Sequence, residues 1–196
     1  LETQVRTPQL VFMHPQRLVV PLFQRPYVWN EENQWEPLWL DIVRMAGRVL
    51  EAPAAKHYPH FLGAVVLQQV PNSTGTMQER TIIDGQQRLT TLQLMFDALH
   101  AELVVAGATA PAMRLETLIT NAEAFRTKPE DQFKVWPTNR DRPAFNAVMS
   151  APLPVDYDAV KFNDQRMVLA HRYFAASAAT WLREAGSLCH LPHAAG

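Results

Sequence analysis

Hydrophobic and polar positions change period several times along this chain, and each change marks an element. Thr81, Ile82 and Ile83 form a β-branched run that ends at Asp84-Gly85. Beyond it Leu89, Leu92, Met95, Phe96, Leu99 and Leu103 recur at three- and four-residue steps. That spacing predicts a helix with one apolar face, running to about Val105 and stopped by Gly107 and Pro111. Upstream, the unbroken apolar run Phe61–Leu67 reads as a buried strand, and Pro71-Asn72-Ser73-Thr74-Gly75 as a turn. Residues 61–83 are therefore expected to be a β-hairpin that delivers the polar turn at 84–88.

The flanking segments follow the same logic. A short helical or irregular lead-in precedes a strand at Leu18-Val19-Val20, closed by Pro21. Pro21–Trp29 holds two prolines, each fixing its own backbone and extending its predecessor, so it is a stiff loop. Asn30 opens a helix whose stripe is Trp35, Leu38, Trp39, Ile42, Val43, Ala46, Val49 and Leu50. Pro37 is tolerated only in a first turn, which puts the regular start near Glu36, and the tryptophans are read as core. Helices are expected over 112–125, through Phe145, Val148 and Met149, and over 160–185. Gln132–Pro137 reads as a short strand or extended arm. The resulting fold class is α+β: a core over residues 1–105, continued by a helical subdomain over 106–196.

Composition narrows the function classes. A net charge of −1 over 196 residues gives no bulk attraction to nucleic acid, so any such contact needs a local patch. One cysteine, Cys189, excludes an internal disulfide framework and a cysteine-based zinc site, and fits a reducing cytoplasm. No apolar run is long enough to span a bilayer. The chain starts at Leu1 and stops at His193-Ala-Ala-Gly196, as an excised piece of a longer protein would.

Candidate chemistry gathers at three places. Asp84, Gly85, Gln86, Gln87 and Arg88 place a carboxylate, two amides and a guanidinium between strand and helix. Gly85 permits the tight path, Asp84 is read as the cap, and the free N–H groups of the first turn with Arg88 suit a phosphate. The same residues also fit an ordinary turn with a capping Asp and a solvated Arg. Gln24, Arg25, Tyr27 and Trp29 form a second set, and Lys134, Thr138, Asn139, Asp141 and Arg142 a third that also reads as a solvated turn. A Gly-rich nucleotide loop ending in Gly-Lys-Ser/Thr, a His-Glu-x-x-His metal site and a Gly-x-Ser-x-Gly elbow are all missing. His57 and His60 have no nearby carboxylate cluster to complete a metal site.

Taken in order, these segments resemble a known family. Its pattern is met by Pro21-x-Phe23-Gln24-Arg25-Pro26-Tyr27-Val28-Trp29, Trp35, Leu38-Trp39-x-Asp41-Ile42, His60-Phe61-Leu62-Gly63 and Ile83-Asp84-Gly85-Gln86-Gln87-Arg88-Leu89-Thr90-Thr91-Leu92. Lys134-x-x-Pro137-Thr138-x-x-Asp141-Arg142-x-x-Phe145 continues it. The chain is similar to the N-terminal domain of GmrSD-type modification-dependent restriction endonucleases, including the phosphorothioate-sensing SspE type, over roughly residues 15–182.

The resemblance implies a ParB/sulfiredoxin-like small mixed sheet with packed helices. It also implies binding and hydrolysis of a nucleoside triphosphate, GTP or UTP, with Mg²⁺. In many members a separate C-terminal His-Asn-His nuclease domain cuts modified phage DNA, and that half is absent from these residues. On this reading Asp84, Gln86, Gln87 and Arg88 are catalytic: Arg88 on the phosphates, a glutamine on water, Asp84 on the metal. Gln24, Arg25, Tyr27, Gly85, Lys134, Thr138 and Asn139 join Arg88 in binding nucleotide, while Gln24, Arg25, Tyr27 and Trp29 sense the DNA modification. Expected partners are the triphosphate, modified DNA and the nuclease domain of the same protein, with no membrane contact. Two alternatives stand beside it: a non-hydrolytic sensor of modified DNA, and a structural adaptor.

Overall fold

The computed structural model describes residues 3–189; the thiol of Cys189 and residues 190–196 lie outside it. Four strands, β1 (Gln16–Val19), β2 (Val66–Gln69), β3 (Gln78–Asp84) and β4 (Val135–Trp136), make one mixed sheet in the order β2-β3-β1-β4. β1 runs parallel to both β3 and β4, whereas β2 pairs antiparallel with β3. The helices are α1 (Pro8–Phe12), α2 (Glu36–Glu51), α3 (Gln86–Val105), α4 (Thr109–Ile119), α5 (Arg142–Met149) and α6 (Arg166–Cys189). The class is α+β, as the sequence implied. β4, from the C-terminal half, is an edge strand of the same sheet, and α6 packs on α3.

α3 is the axis of the core. The periodicity predicts one apolar face, yet Leu89, Leu92, Leu94, Met95, Phe96, Ala98 and Ala101 are buried together with Thr90, Thr91 and Gln93. α4 and α6 both pack on this helix, and β4 also contacts it. Withdrawing each large side chain from water stabilises the fold by about 1.5–3 kcal/mol. Thr91 donates to Gln87 O at 2.8 Å and Gln93 Oε1 accepts the Val135 N–H at 3.2 Å, while Gln93 Nε2 is buried without a partner.

α2 starts at Glu36, as Pro37 required, behind a wide turn at Glu31–Trp35 capped by Asn30 Oδ1. Trp35 is buried, and Leu38, Trp39 and Ile42 pack on the core, but Val49 and Leu50 at the far end are exposed. The stripe therefore serves the core over its first half only.

Three expectations need correction. Phe61–Leu67 is not a buried strand: pairing begins at Val66, and Phe61 is 81% exposed. β2 is the sheet edge with one partner, and Gly63 at φ +97° breaks the extended path before it. The helix read at 112–125 ends at Ile119, because buried Asn121 turns the chain by donating to Gln16 O at 3.0 Å and Asp131 O at 2.9 Å. The last helix begins at Arg166 rather than 160, after turns that include Phe162 at φ +63°.

Two buried polar clusters pin the outer elements. Arg17 pairs with Glu79 and lies 3.6 Å from Asp131, which also accepts from the N–H and hydroxyl of Thr127 and the N–H of Lys128. On α6, fully buried His171 sits between Tyr157 Oη at 2.7 Å and Asp97 Oδ2 at 3.0 Å. Both ring nitrogens are thereby engaged, one with a phenol and the other with a carboxylate. Among the described residues no helix is long and apolar enough to cross a membrane.

Candidate functional site

Because β1, β3 and β4 are parallel, the loops that follow them leave from one end of the sheet. Carboxyl ends of parallel strands are where open α/β sheets place ligands. The three loops are residues 20–30, the turn at Gly85, and residues 137–141. Each carries one of the polar sets singled out in the sequence.

Gly85, not Asp84, caps α3. It adopts φ +91°, a left-handed conformation open to glycine, and Asp84 Oδ1 accepts the Gly85 N–H at 2.8 Å. Asp84 otherwise points outward and is exposed. No side chain caps the helix, and the first intrahelical bond is Leu89 N–H to Gly85 O at 3.0 Å. The N–H groups of Gln86, Gln87 and Arg88 therefore end α3 without intrahelical partners, beside the positive end of a 20-residue helix dipole.

The 20–30 loop is tied to this turn position by position. Gln24 Nε2 donates to Ile83 O at 3.2 Å, Gln86 Nε2 to Arg25 O at 3.1 Å and Gln87 Nε2 to Pro26 O at 3.0 Å. Tyr27 N–H reaches Asp141 Oδ2 at 3.0 Å, and Val28 N–H reaches Gln87 Oε1 at 2.9 Å. Arg166, at the start of α6, donates to Val28 O at 3.2 Å. Asp141 also accepts the Thr138 hydroxyl at 2.6 Å, a bond within the 137–141 loop that fixes the carboxylate for its contact with the 20–30 loop.

These bonds reassign several residues. Both amide ends of Gln87 are spent on loop backbone, so it does not orient water in this arrangement. Gln86 is likewise engaged through Nε2, while its Oε1 is buried without a partner. Tyr27 is 5% exposed, its ring held within the core. Its hydroxyl accepts from Trp35 Nε1 at 2.9 Å and pairs with Thr91 Oγ1 at 2.6 Å, and burial pushes the phenol well above its usual range. Trp29 packs against the core.

Lys134 does not join the site. It is buried, its Nζ donates to His14 O at 3.1 Å ahead of β1, and desolvation pulls the ammonium down to about 8. Thr138 is buried as the partner of Asp141, and Asn139 is exposed on the same turn.

Beside the exposed Asp84, three arginines ring the site. Arg25 is exposed, and among the described residues its side chain has no carboxylate partner. Arg142 stacks 4.9 Å over the Trp136 ring and donates to Pro137 O at 2.9 Å. Arg88 is half-buried and donates to Ala64 O. Beside them Leu22 and Phe23 are exposed, Phe23 by 84%.

Gly63, Ala64 and Arg166 also touch the site, although none was among the candidate site residues in the sequence. Gly63 carried a signal, since a glycine inside an apolar run marks a bend or a close approach. Arg166 carried none.

Among the described residues no group of three or more His, Cys, Asp or Glu side chains is arranged to hold a metal ion. A single exposed carboxylate, Asp84, matches the way Mg²⁺ is held by one carboxylate, waters and the substrate's phosphates, not an all-protein cage. The turn at 84–88 lines neither the apolar groove between α2 and α6 nor the cavity beside Asp97 and His100.

Compared with known proteins, residues 9–180 match the family model described as GmrSD restriction endonuclease, N-terminal domain. No curated protein matches the chain.

Proposed function

This chain belongs to the GmrSD restriction endonuclease N-terminal domain family, and on that premise we propose that it binds and hydrolyses a nucleoside triphosphate. The observation that carries the reading is the bare N-terminus of α3, flanked by Arg88 and Arg25 where three loops meet. Oriented N–H groups with a guanidinium are the standard way to hold a phosphate chain. We read the sheet and its glycine turn as the ParB/sulfiredoxin-like arrangement.

In this reading the α3 N–H groups and Arg88 take the phosphates and stabilise the charge that develops as the phosphoanhydride bond breaks. Arg25 closes the site from the opposite loop. Asp84 would hold Mg²⁺, which supplies charge neutralisation at the phosphates. Gln86 and Gln87 keep the loop in register and position Arg25. We assign no DNA cleavage to these residues; a His-Asn-His domain of the same protein would supply it.

A second reading has one observation in its favour. Phe23 and Leu22 are exposed beside Gln24 and Arg25, a mixed apolar and cationic rim that suits a sulfur-substituted DNA backbone as well as a nucleotide. Titrating phosphorothioated against plain duplex, with and without triphosphate, separates the two.

The direct test is a thermal-shift screen of the four ribonucleoside triphosphates with Mg²⁺. A ligand at a hundred times its Kd adds about 2.7 kcal/mol of stability, worth roughly 5–10 °C for a domain of this size. Arg88→Ala is expected to abolish the shift. GTP turnover unchanged in both Arg88→Ala and Asp84→Ala proteins of normal melting behaviour rejects this site.

A further inference from the structure

We propose that Phe61–Val65 is a displaceable strap latched over the start of α3 by Arg88, and that a bound oxyanion takes Arg88 from Ala64 and frees it. The inference rests on the phosphate reading of the turn. Its basis is geometric. Arg88 Nη1 donates to Ala64 O, and the guanidinium lies directly on Gly63: a Cβ there would sit 2.6 Å from Arg88 Cζ. Gly85 meets the same strap, since a Cβ on it would fall 2.9 Å from Val65 Cγ2 and 3.3 Å from Ala64 O. Two glycines at positive φ thus let strap and turn touch beside the first turn of α3.

Little else holds the strap down. Ladder pairing begins at Val66, with a register irregularity between Val66 and Leu67. Phe61, Ala64 and Val65 are exposed. Leu62 packs on the core, and His60 Nε2 lies 3.3 Å from Asp41 Oδ2. A phosphate carries charge and can take two parallel N–H donors from one guanidinium, so it is a stronger acceptor for Arg88 than a single neutral carbonyl. Arg88 is therefore the group the two compete for.

The experiment is limited chymotrypsin digestion, with cuts after Tyr58, Phe61 and Leu62 located by mass spectrometry. Cleavage tracks the open population when opening is fast, so Arg88→Gln, which loses the latch bond, should be cut there about fivefold faster. Gly63→Ala must push the guanidinium aside and should act in the same direction. GTP with Mg²⁺ should accelerate cutting of the wild type and leave Arg88→Gln unchanged. Wild-type cutting rates in both variants overturn the latch. GTP that raises the melting point yet slows or does not alter strap cutting overturns the displacement. If no triphosphate raises the melting point, the phosphate reading falls, and the two variants still decide whether the latch exists.

Discussion

Replacing Gln87 by alanine separates a structural amide from a catalytic one. The side chain is 7% exposed and makes two bonds to one loop, accepting from Val28 N–H at 2.9 Å and donating to Pro26 O at 3.0 Å. Each bond is worth about 1 kcal/mol net, and leaving a buried partner unpaired costs about 1–3 kcal/mol. Water reaches Val28, whose side chain is 40% exposed, so part of that cost is recovered. The expected loss is about 2–3 kcal/mol, a drop of roughly 5–10 °C in Tm. Gln87→Glu sharpens the test: it keeps the acceptor for Val28 but sets an oxygen against Pro26 O, and should destabilise despite equal size. Tm and urea midpoints give the readout, beside triphosphate turnover measured well below the melting point. A Gln87→Ala protein that melts within about 1 °C of wild type yet has lost turnover would show the amide acting on water, and would refute the clamp.

The remaining expectations concern charge. Lys134 is held down to about 8 by burial, against an ordinary value of 10.5. Below about 8 the native chain carries the full penalty of a buried ammonium; between 8 and 10.5 the unfolded chain binds more protons, so stability rises with pH. Lys134→Met should therefore gain up to about 2–3 kcal/mol at neutral pH, and the gain should vanish near pH 10.5; a pH-independent effect in urea titrations counts against it. Asp131 goes the other way. Burial raises its carboxyl, but bonds from Thr127, the charge of Arg17 and the Lys128 N–H outweigh that and hold it below its ordinary value of 3.8. Its contribution is present above that value and is lost as pH falls through the lowered one. Asp131→Asn should cost about 3 kcal/mol at pH 7, since Arg17 is left buried with less charge to face, and should flatten the acid limb of the stability curve; an unaltered acid limb would show that Asp131 is not its source.

The backbone plan was legible because it rests on local rules. Pro37 fixed where α2 could start, Gly85 fixed the left-handed turn, and the β-branched run before it with the three- and four-residue steps after it announced β3 and α3. Phe61–Leu67 misled because an apolar run shows what a segment is made of and not where in the sheet it lies; at an edge, beside Gly63, the same residues stay in solvent. The side chains around the turn were harder to place for a related reason. Amides, a phenol and an indole close to a glycine turn look like reagents, yet a side-chain amide supplies both donors and an acceptor, which is what a ladderless loop backbone requires. Which use prevails depends on the backbone facing the amide, and that backbone arrives from 59 to 61 residues away for Gln86 and Gln87. Asp141 and Arg166 reach the same loop across 114 and 138 residues. Nothing local in their own segments marks those contacts. The groups still free to act on a ligand are the ones the loop does not need: the first N–H groups of α3, Asp84 and Arg25, with Arg88 on a single carbonyl that a stronger acceptor can replace.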